Sequence, residues 1–433
     1  MTHSILQLAA RTWDGDGEPA SLVEPATTGA EEVADGVLMV PGFSHAFALR
    51  HADGLVLFDT GAKLFADRLH RQVTAWDARP VTHAVYSHGH VDHVGGLAPF
   101  DADADAAGRE RPAVVAHENV LARFRRYADT QGYNTAVNRR QFRIPDLVWP
   151  AEFRRPDVTF AATHVVETGG LRLELTHHRG ETDDHAVGWL PEQRILFPGD
   201  LFLGVAPNAG NPQKVQRYPV EWAAALRWMA SLGAELMLGS HGLPVVGADR
   251  VREALENTAR YLESLVEQTT ACLNEGATLD RTLHSVRVPD DLAGLHYLQP
   301  LYDEPEFIVR NVWRQFAGWY DGNPAHLKPA TDRALATELA ALSGGARTLA
   351  ARARELAHAG SHRLACHLAQ FAGDAAPGDS EVHTARAEVY ALRAAQERST
   401  MSTGIFSWAE AESRGVLAGT DAMTELVPAK PAH

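Results

Sequence analysis

The sequence predicts a layered α/β domain with a polar site on one edge, followed by an all-helical domain. Three observations lead there. Across the first 250 residues, short apolar runs end again and again in a histidine or an acid. One run delivers Ser87–Gly96, SHGHVDHVGG, with four ligand-type residues in six positions. From Val251 onward, short runs give way to the three-and-four spacing of helices. The division is placed at residues 1–250 and 251–433.

Ser87–Gly96 is the centre of the reading. It follows Val81–Tyr86, a buried strand by pattern, and ends in the loop signal Gly95-Gly96. Alternate residues of an extended segment point the same way, so His88 and His90 can share one ion. Asp92 and His93 lie on the following turn and can serve a second. Imidazole and carboxylate suit zinc, with iron or manganese also accepted by such ligands. A lone histidine pair would read as a surface loop; four ligand types in this order are far more specific.

The other elements follow in order. Residues 1–35 are polar and rich in Gly and Pro, a surface segment packed on the domain. Val37–Val40 and Phe47–Leu49 are strands about Pro41-Gly42, and Gly54–Asp59 is a buried strand ending in an acid. Lys63–Gln72 reads as a helix, Asp101–Ala107 as an acidic loop and Ala113–Ala116 as a strand. Residues 118–142 carry five arginines around Tyr133-Asn134. They are either a solvated helix face or an insertion that covers the site and offers Tyr133 and Asn134 to a substrate. Val165–Gly169 and Leu171–Thr176 form a hairpin about Gly169-Gly170, and Ala186–Leu190 pairs with Arg194–Phe197. The second half of the site lies in this region: Glu181, with His185 as its rival, then Asp200 after a strand and His241 after Glu235–Leu238. Lys214 and Arg217, one turn apart beyond Asn208, are either solvated charges or an anion site. Beyond a proline-bearing linker near Pro289–Pro305, helical patterns fill 305–320, 331–342, 346–371 and 379–398.

Composition excludes several classes. A formal net charge of −15 argues against a nucleic-acid backbone as partner, because such binding rests on many cationic contacts. No apolar run is long enough for a membrane span. The N-terminal stretch lacks a secretory pattern, so a cytoplasmic protein is expected. The two cysteines, Cys272 and Cys366, are expected to be buried thiols and cannot build a disulfide framework.

The pattern H-x-H-x-D-H resembles the signature of the metallo-β-lactamase fold, an αββα sandwich. Gly180-Glu181-Thr182, Pro198–Asn208 and above all Gly318–Leu327, GWYDGNPAHL, are similar to the alkyl sulfatase branch. Residues 397–406 look like the end of that branch's helical dimerisation domain. The resemblance spans about residues 35–415. It implies a dinuclear zinc hydrolase with His88, His90 and Glu181 on the first ion, Asp92, His93 and His241 on the second, and Asp200 between. It favours Glu181 over His185 and gives Asp59 a supporting role beneath the metal loop.

The same resemblance implies that a metal-bound water attacks, with Asp92 orienting it, on an alkyl sulfate or related small anionic ester. It makes Asn208, Lys214 and Arg217 an anion site and the helical domain the seat of a homodimer. Alkyl sulfatases favour Glu where this chain has Asp200, and they carry a further lipid-carrier-like domain; both departures weigh against a long-chain substrate. A lactone, thioester or phosphoester hydrolase is the nearest rival. A non-catalytic dimeric scaffold predicts lost ligand positions, and all seven are filled.

Overall fold

The computed structural model describes residues 4–15 and 29–427. Its first sheet has seven strands in sequence order: β1 Glu31–Ala34, β2 Val37–Val40, β3 Ala46–His51, β4 Gly54–Phe58, β5 Val81–Val85, β6 Ala113–His117 and β7 Val158–Phe160. β1 to β4 pair antiparallel, and β4 to β7 run parallel. The second sheet has six: β8 Thr163–Thr168, β9 Leu171–His177, β10 Ala186–Leu190, β11 Ile195–Gly199, β12 Leu236–Gly239 and β13 Val245–Val246. Only β11 and β12 are parallel there.

Side-chain alternation explains the layers. In β4, Val56 and Phe58 point into the core shared by the two sheets, while Leu55 and Leu57 point to the outer face. Phe197 of the second sheet meets Phe47 and Phe58 of the first, with ring centroids 5.3 and 5.0 Å apart. Gly188 is required here, since a Cβ would lie 2.6 Å from the Phe58 ring. Leu69 and Val73 of the helix Ala66–Trp76 cover the outer face of the first sheet. Trp222, Leu226 and Met229 of the helix Pro219–Ser231 cover the second, backed by the helix Ala248–Asn274. The four layers are helix, sheet, sheet, helix, as the sequence predicts, with a helical C-terminal region.

The structure corrects several local expectations. Asp101–Ala107 belongs to a helix, Ala98–Ala106, because Phe100 and Ala104 bury one side while His70 and Arg111 bind Asp103 and Asp105 on the other. The N-terminal segment is more than surface: Ile5–Trp13 is a capped helix whose Ile5 enters the core between the sheets. The supposed linker before Pro305 is packed, with Leu292, Tyr297 and Leu298 in the core around the helix Ala248–Asn274. Cys272 and Cys366 are only half-buried.

Two compact units emerge, and they do not divide at residue 250. One runs to Gln131 and resumes over Pro150–Gly318. The other joins Gly132–Trp149 to the chain from Trp319 onward. The physical reason is the amphipathic helix Ala248–Asn274, whose Leu255, Leu262 and Leu265 are buried with the helix Pro219–Ser231. The second unit is helical, with a core rich in alanine: Ala350, Ala353, Ala365, Ala369 and Ala372 let its helices approach closely. Gly404 in the helix Thr400–Ala418 meets the backbone of Gln141, where a Cβ would come within 2.4 Å of its carbonyl.

Candidate metal centre

Seven ligand-type side chains lie on loops at the C-terminal ends of four strands. The loop after β5 carries His88, His90, Asp92 and His93; Glu181 follows β9, Asp200 follows β11 and His241 follows β12. They fall into two groups. His88, His90, Glu181 and Asp200 form one, and Asp92, His93 and His241 the other; within each, the ligand atoms all lie within 4.8 Å of one another. Asp200 spans both, with Oδ2 3.7 Å from His88 Nε2 and Oδ1 3.5 Å from the Nε2 atoms of His93 and His241. Asp92 Oδ2 lies 3.5 Å from the same two nitrogens, and Glu181 Oε2 lies 3.7 Å from His90 Nδ1. His88, His93, Glu181 and Asp200 are buried, while His90, Asp92 and His241 are half-buried and form the open side.

Whether these residues fit metal ions can be tested on their unused atoms. His93 Nε2, Glu181 Oε2 and Asp200 Oδ1 are buried without a hydrogen-bond partner. Buried polar atoms are costly when unpaired. Here they converge, with an imidazole and carboxylate donor set that suits a borderline divalent ion. The residues fit.

His185, the rival to Glu181, lies outside both groups. Its Nε2 accepts the backbone N–H of Asp200 at 3.1 Å, so the lone pair that would bind a metal is taken.

Asp59 ties the loops together from beneath. It is fully buried, at 0% exposure, with a positive φ of 54° at the end of β4. Its Oδ1 accepts Ser87 N–H at 2.7 Å; its Oδ2 accepts the hydroxyls of Ser87 and Ser240, each at 2.8 Å, and faces His93 Nδ1 at 2.8 Å. Holding Nδ1 directs Nε2 of His93 into the site, the usual carboxylate–histidine arrangement behind a metal. The glycines of the motif let the loop lie against this turn: a Cβ on Gly96 would sit 2.0 Å from the Thr60 carbonyl oxygen. The supporting contacts expected of Asp59 are present.

Burial and charge set the protonation pattern of the metal-free site. Burial, aided by neighbouring cations, drives His88 and His90 well below the usual histidine range, leaving neutral rings. Burial opposes protonation of His93 and His241 as well, but Asp200 and Asp92 outweigh it, raising His93 strongly and His241 to about 10. Burial would raise Asp92 and Asp200, yet the same histidines hold both far below the carboxylate range. Glu181 is pushed up to about 8 by burial, only partly offset by Arg217.

Sequence reasoning missed part of the framework. Arg123, in the helix Asn119–Asp129, donates from Nε to Asp184 Oδ2 at 2.6 Å and pairs with Asp183 at 2.5 Å. Asp184 Oδ2 also accepts the N–H of Gly89, inside the metal loop, at 3.1 Å. The helix period carries the signal: Arg123 falls on the face of Val120, Phe124 and Tyr127, all buried. His45 was also overlooked; its Nε2 bonds the Gly242 carbonyl beside His241 at 2.8 Å.

The expected substrate residues fall in different places. Asn208 Nδ2 and Arg217 Nη1 both reach Glu181 Oε1, and Arg217 also donates to the Asn208 carbonyl at 2.7 Å. Lys214 is half-buried and feels the charges of Asp92 and Glu181; burial, with Arg217 nearby, lowers it to about 7. Tyr133 and Asn134 belong to the second unit, on the helix Gln131–Phe142, with Tyr133 exposed and Asn134 buried.

With this geometry in hand, comparisons place the chain. The metallo-beta-lactamase superfamily matches residues 39–241, and the alkyl sulfatase dimerisation family matches residues 278–415. The chain carries a metallo-beta-lactamase domain followed by an alkyl sulfatase dimerisation domain. A linear primary-alkylsulfatase of Pseudomonas sp. (strain ATCC 19151) is 27% identical over 314 residues, 68% of this chain and 59% of its own length. The alkyl/aryl-sulfatase BDS1 of Saccharomyces cerevisiae is 24% identical over 390 residues, 77% of this chain and 57% of its own. The solved structure of the sec-alkylsulfatase Pisa1 from Pseudomonas sp. shares the fold, with a TM-score of 0.77 at 22% identity over 89% of this chain and 65% of that one. The chain therefore spans less than two thirds of the length of these relatives. Among the described residues, no helix is long and apolar enough to cross a membrane.

Proposed function

We propose that this protein is a metal-dependent hydrolase of small sulfate esters that holds two zinc ions. The observation that carries the proposal is the convergence of seven ligand-type groups, with three orphaned buried atoms, in a chain whose curated relatives are alkylsulfatases. His88, His90 and Glu181 would hold one ion, Asp92, His93 and His241 the other, and Asp200 would serve both. Such a pair of ions supplies an acidified water and polarises the ester oxygen.

The chain's own residues do the rest. Asp59 fixes the tautomer of His93 through Nδ1. Asp92, on the half-buried side, orients the attacking water and accepts its proton. Asn208 and Arg217 hold Glu181 in place and keep it ionised when the site is filled. Lys214 meets the sulfate, whose negative charge restores the lysine's own. The ester and one water become an alcohol and hydrogen sulfate. The helical domain carries a homodimer, a reading that rests on the matched dimerisation family.

A substrate panel tests the reading. Zinc-loaded protein is expected to release inorganic sulfate from short alkyl sulfates and to leave lactones, thioesters and phosphoesters largely untouched. Turnover of one of those instead, with no sulfate release, would keep the hydrolase and reject the sulfatase.

A further inference from the structure

The loop that carries Asn208, Lys214 and Arg217 is held by more than its own bonds. Its anchors come from residues 299–314, a segment that the dimerisation family match begins before and runs beyond. That segment lies in the same compact unit as the metal site, which extends to Gly318.

The contacts are specific. Asp303 is fully buried, at 0% exposure. Its Oδ2 accepts the backbone N–H groups of Gly210, at 2.5 Å, and Asn211, at 3.2 Å, while Oδ1 accepts that of Glu304 at 2.8 Å. Burial raises this carboxyl to about 6, partly offset by those donors. Eight residues on, Asn311 grips the other end of the loop: its Nδ2 donates to the Arg217 carbonyl at 2.9 Å, and its Oδ1 accepts the Arg217 N–H at 3.4 Å. Arg314 reaches Gln216 at 2.9 Å, and the N–H of Ala206 bonds the Gln299 carbonyl at 3.0 Å. Leu203 and Val205 pack on Leu301 and Tyr302. Gly210 admits the close approach, since a Cβ would lie 2.3 Å from the Phe307 backbone carbon.

Among the described residues, the side-chain hydrogen bonds of Asp303 go to this loop and to the Glu304 N–H, and those of Asn311 to this loop and to Arg314. A buried carboxylate aimed at two loop N–H groups fixes the backbone two residues beyond Asn208. A side-chain amide that pairs with both backbone groups of Arg217 fixes that residue's position. Asn208, two residues before the first anchor, and Arg217, held directly at the second, are the pair that reach Glu181 Oε1.

We infer that Asp303 and Asn311 are positioning residues for the metal centre, so that the stretch 299–314 within the dimerisation match acts as a buttress for Glu181. This rests on the reading of Glu181 as a metal ligand given above. The consequence is selective. Loss of the buttress weakens the ion held with His88, His90 and Glu181 and leaves the group of Asp92, His93 and His241 intact.

The test uses the full-length protein. Zinc affinity is measured by chelator competition for wild type, Asp303→Asn, Asp303→Ala and Asn311→Ala, with thermal melting on the same samples. Val312→Ala is the control, a buried neighbour in the same helix whose apolar side chain can make no hydrogen bond to the loop. Wild type is expected to bind two ions. Asp303→Ala and Asn311→Ala are expected to lose about tenfold or more in affinity for one ion only, in line with the loss of an outer contact behind a ligand. Asp303→Asn, which keeps one acceptor oxygen, is expected to fall between, and Val312→Ala is expected to keep both ions despite a lower melting temperature. Folded Asp303→Asn and Asn311→Ala that bind both ions like wild type would overturn the inference and leave the metal reading standing. Wild type that binds no metal would overturn both.

Discussion

Replacing Asp59 by alanine removes the carboxylate on which three loops of the metal centre meet. The magnitude follows from its bonds. Four donors face it: Ser87 N–H, the Ser87 and Ser240 hydroxyls, and His93 Nδ1. The hydroxyls can rotate toward other acceptors, whereas the Ser87 N–H and the His93 nitrogen cannot. A buried donor left unpaired costs about 1–3 kcal/mol, so the two fixed donors set a range of about 2–6 kcal/mol. Ser44 Oγ, 3.2 Å from the same His93 nitrogen, offers a weaker replacement and brings the expected loss to about 2–4 kcal/mol. Freed from its anchor, His93 also presents Nε2 less well, and zinc affinity is expected to fall about 10–100-fold. Urea denaturation of the metal-free protein reads the first quantity, and chelator competition reads the second. A stability loss below about 1 kcal/mol with unchanged zinc affinity would refute the role of Asp59 as the common anchor.

Further outcomes can be checked alongside. Arg123→Ala leaves Asp184 charged and buried, and a loss of about 3–5 kcal/mol is expected in the same denaturation assay. Glu181→Gln is expected to weaken one zinc ion more than His185→Ala does; the reverse order would return the position to His185. In the metal-free protein His241 is raised to about 10, so its stabilising charge is complete below the unfolded value of about 6.5, declines above it and is gone beyond about pH 10. The same proton must leave when metal binds, so zinc affinity is expected to rise about tenfold per pH unit, or more, between pH 6.5 and 8; a flat profile would contradict the ion pairing of His241 with Asp200 and Asp92. Gly96→Ala drives a Cβ into the Thr60 carbonyl and is expected to lower both melting temperature and zinc content.

Much of the fold was legible because the strands covered on both faces read as short apolar runs and end near residues with distinct chemistry. Val81–Val85, Ala186–Leu190 and Leu236–Gly239 appear where their apolar runs predict them. The ligand-type residues were legible because each lies on a loop that leaves the end of a strand. What stayed hidden depends on contacts between distant segments. Nothing local marks Asp303 as the anchor of Gly210, 93 residues away in sequence. Aspartate and alanine alternate through residues 101–106, so no apolar stripe announced the helix Ala98–Ala106, which is fixed instead by Phe100 and by partners on other elements. Arg217 reads from the sequence as a solvated charge or part of an anion site, and only the fold brings it against Glu181.

The central claim is that this centre hydrolyses a sulfate ester through groups that include Asp92. The most direct measurement is inorganic sulfate release from a short alkyl sulfate, by wild type and Asp92→Ala loaded with zinc in parallel and assayed for metal content in the same tubes. Sulfate release by wild type, reduced at least about a hundredfold in the variant as expected for a lost general base, is the predicted result. Equal release by both proteins, or none from wild type that holds its full metal, would contradict it.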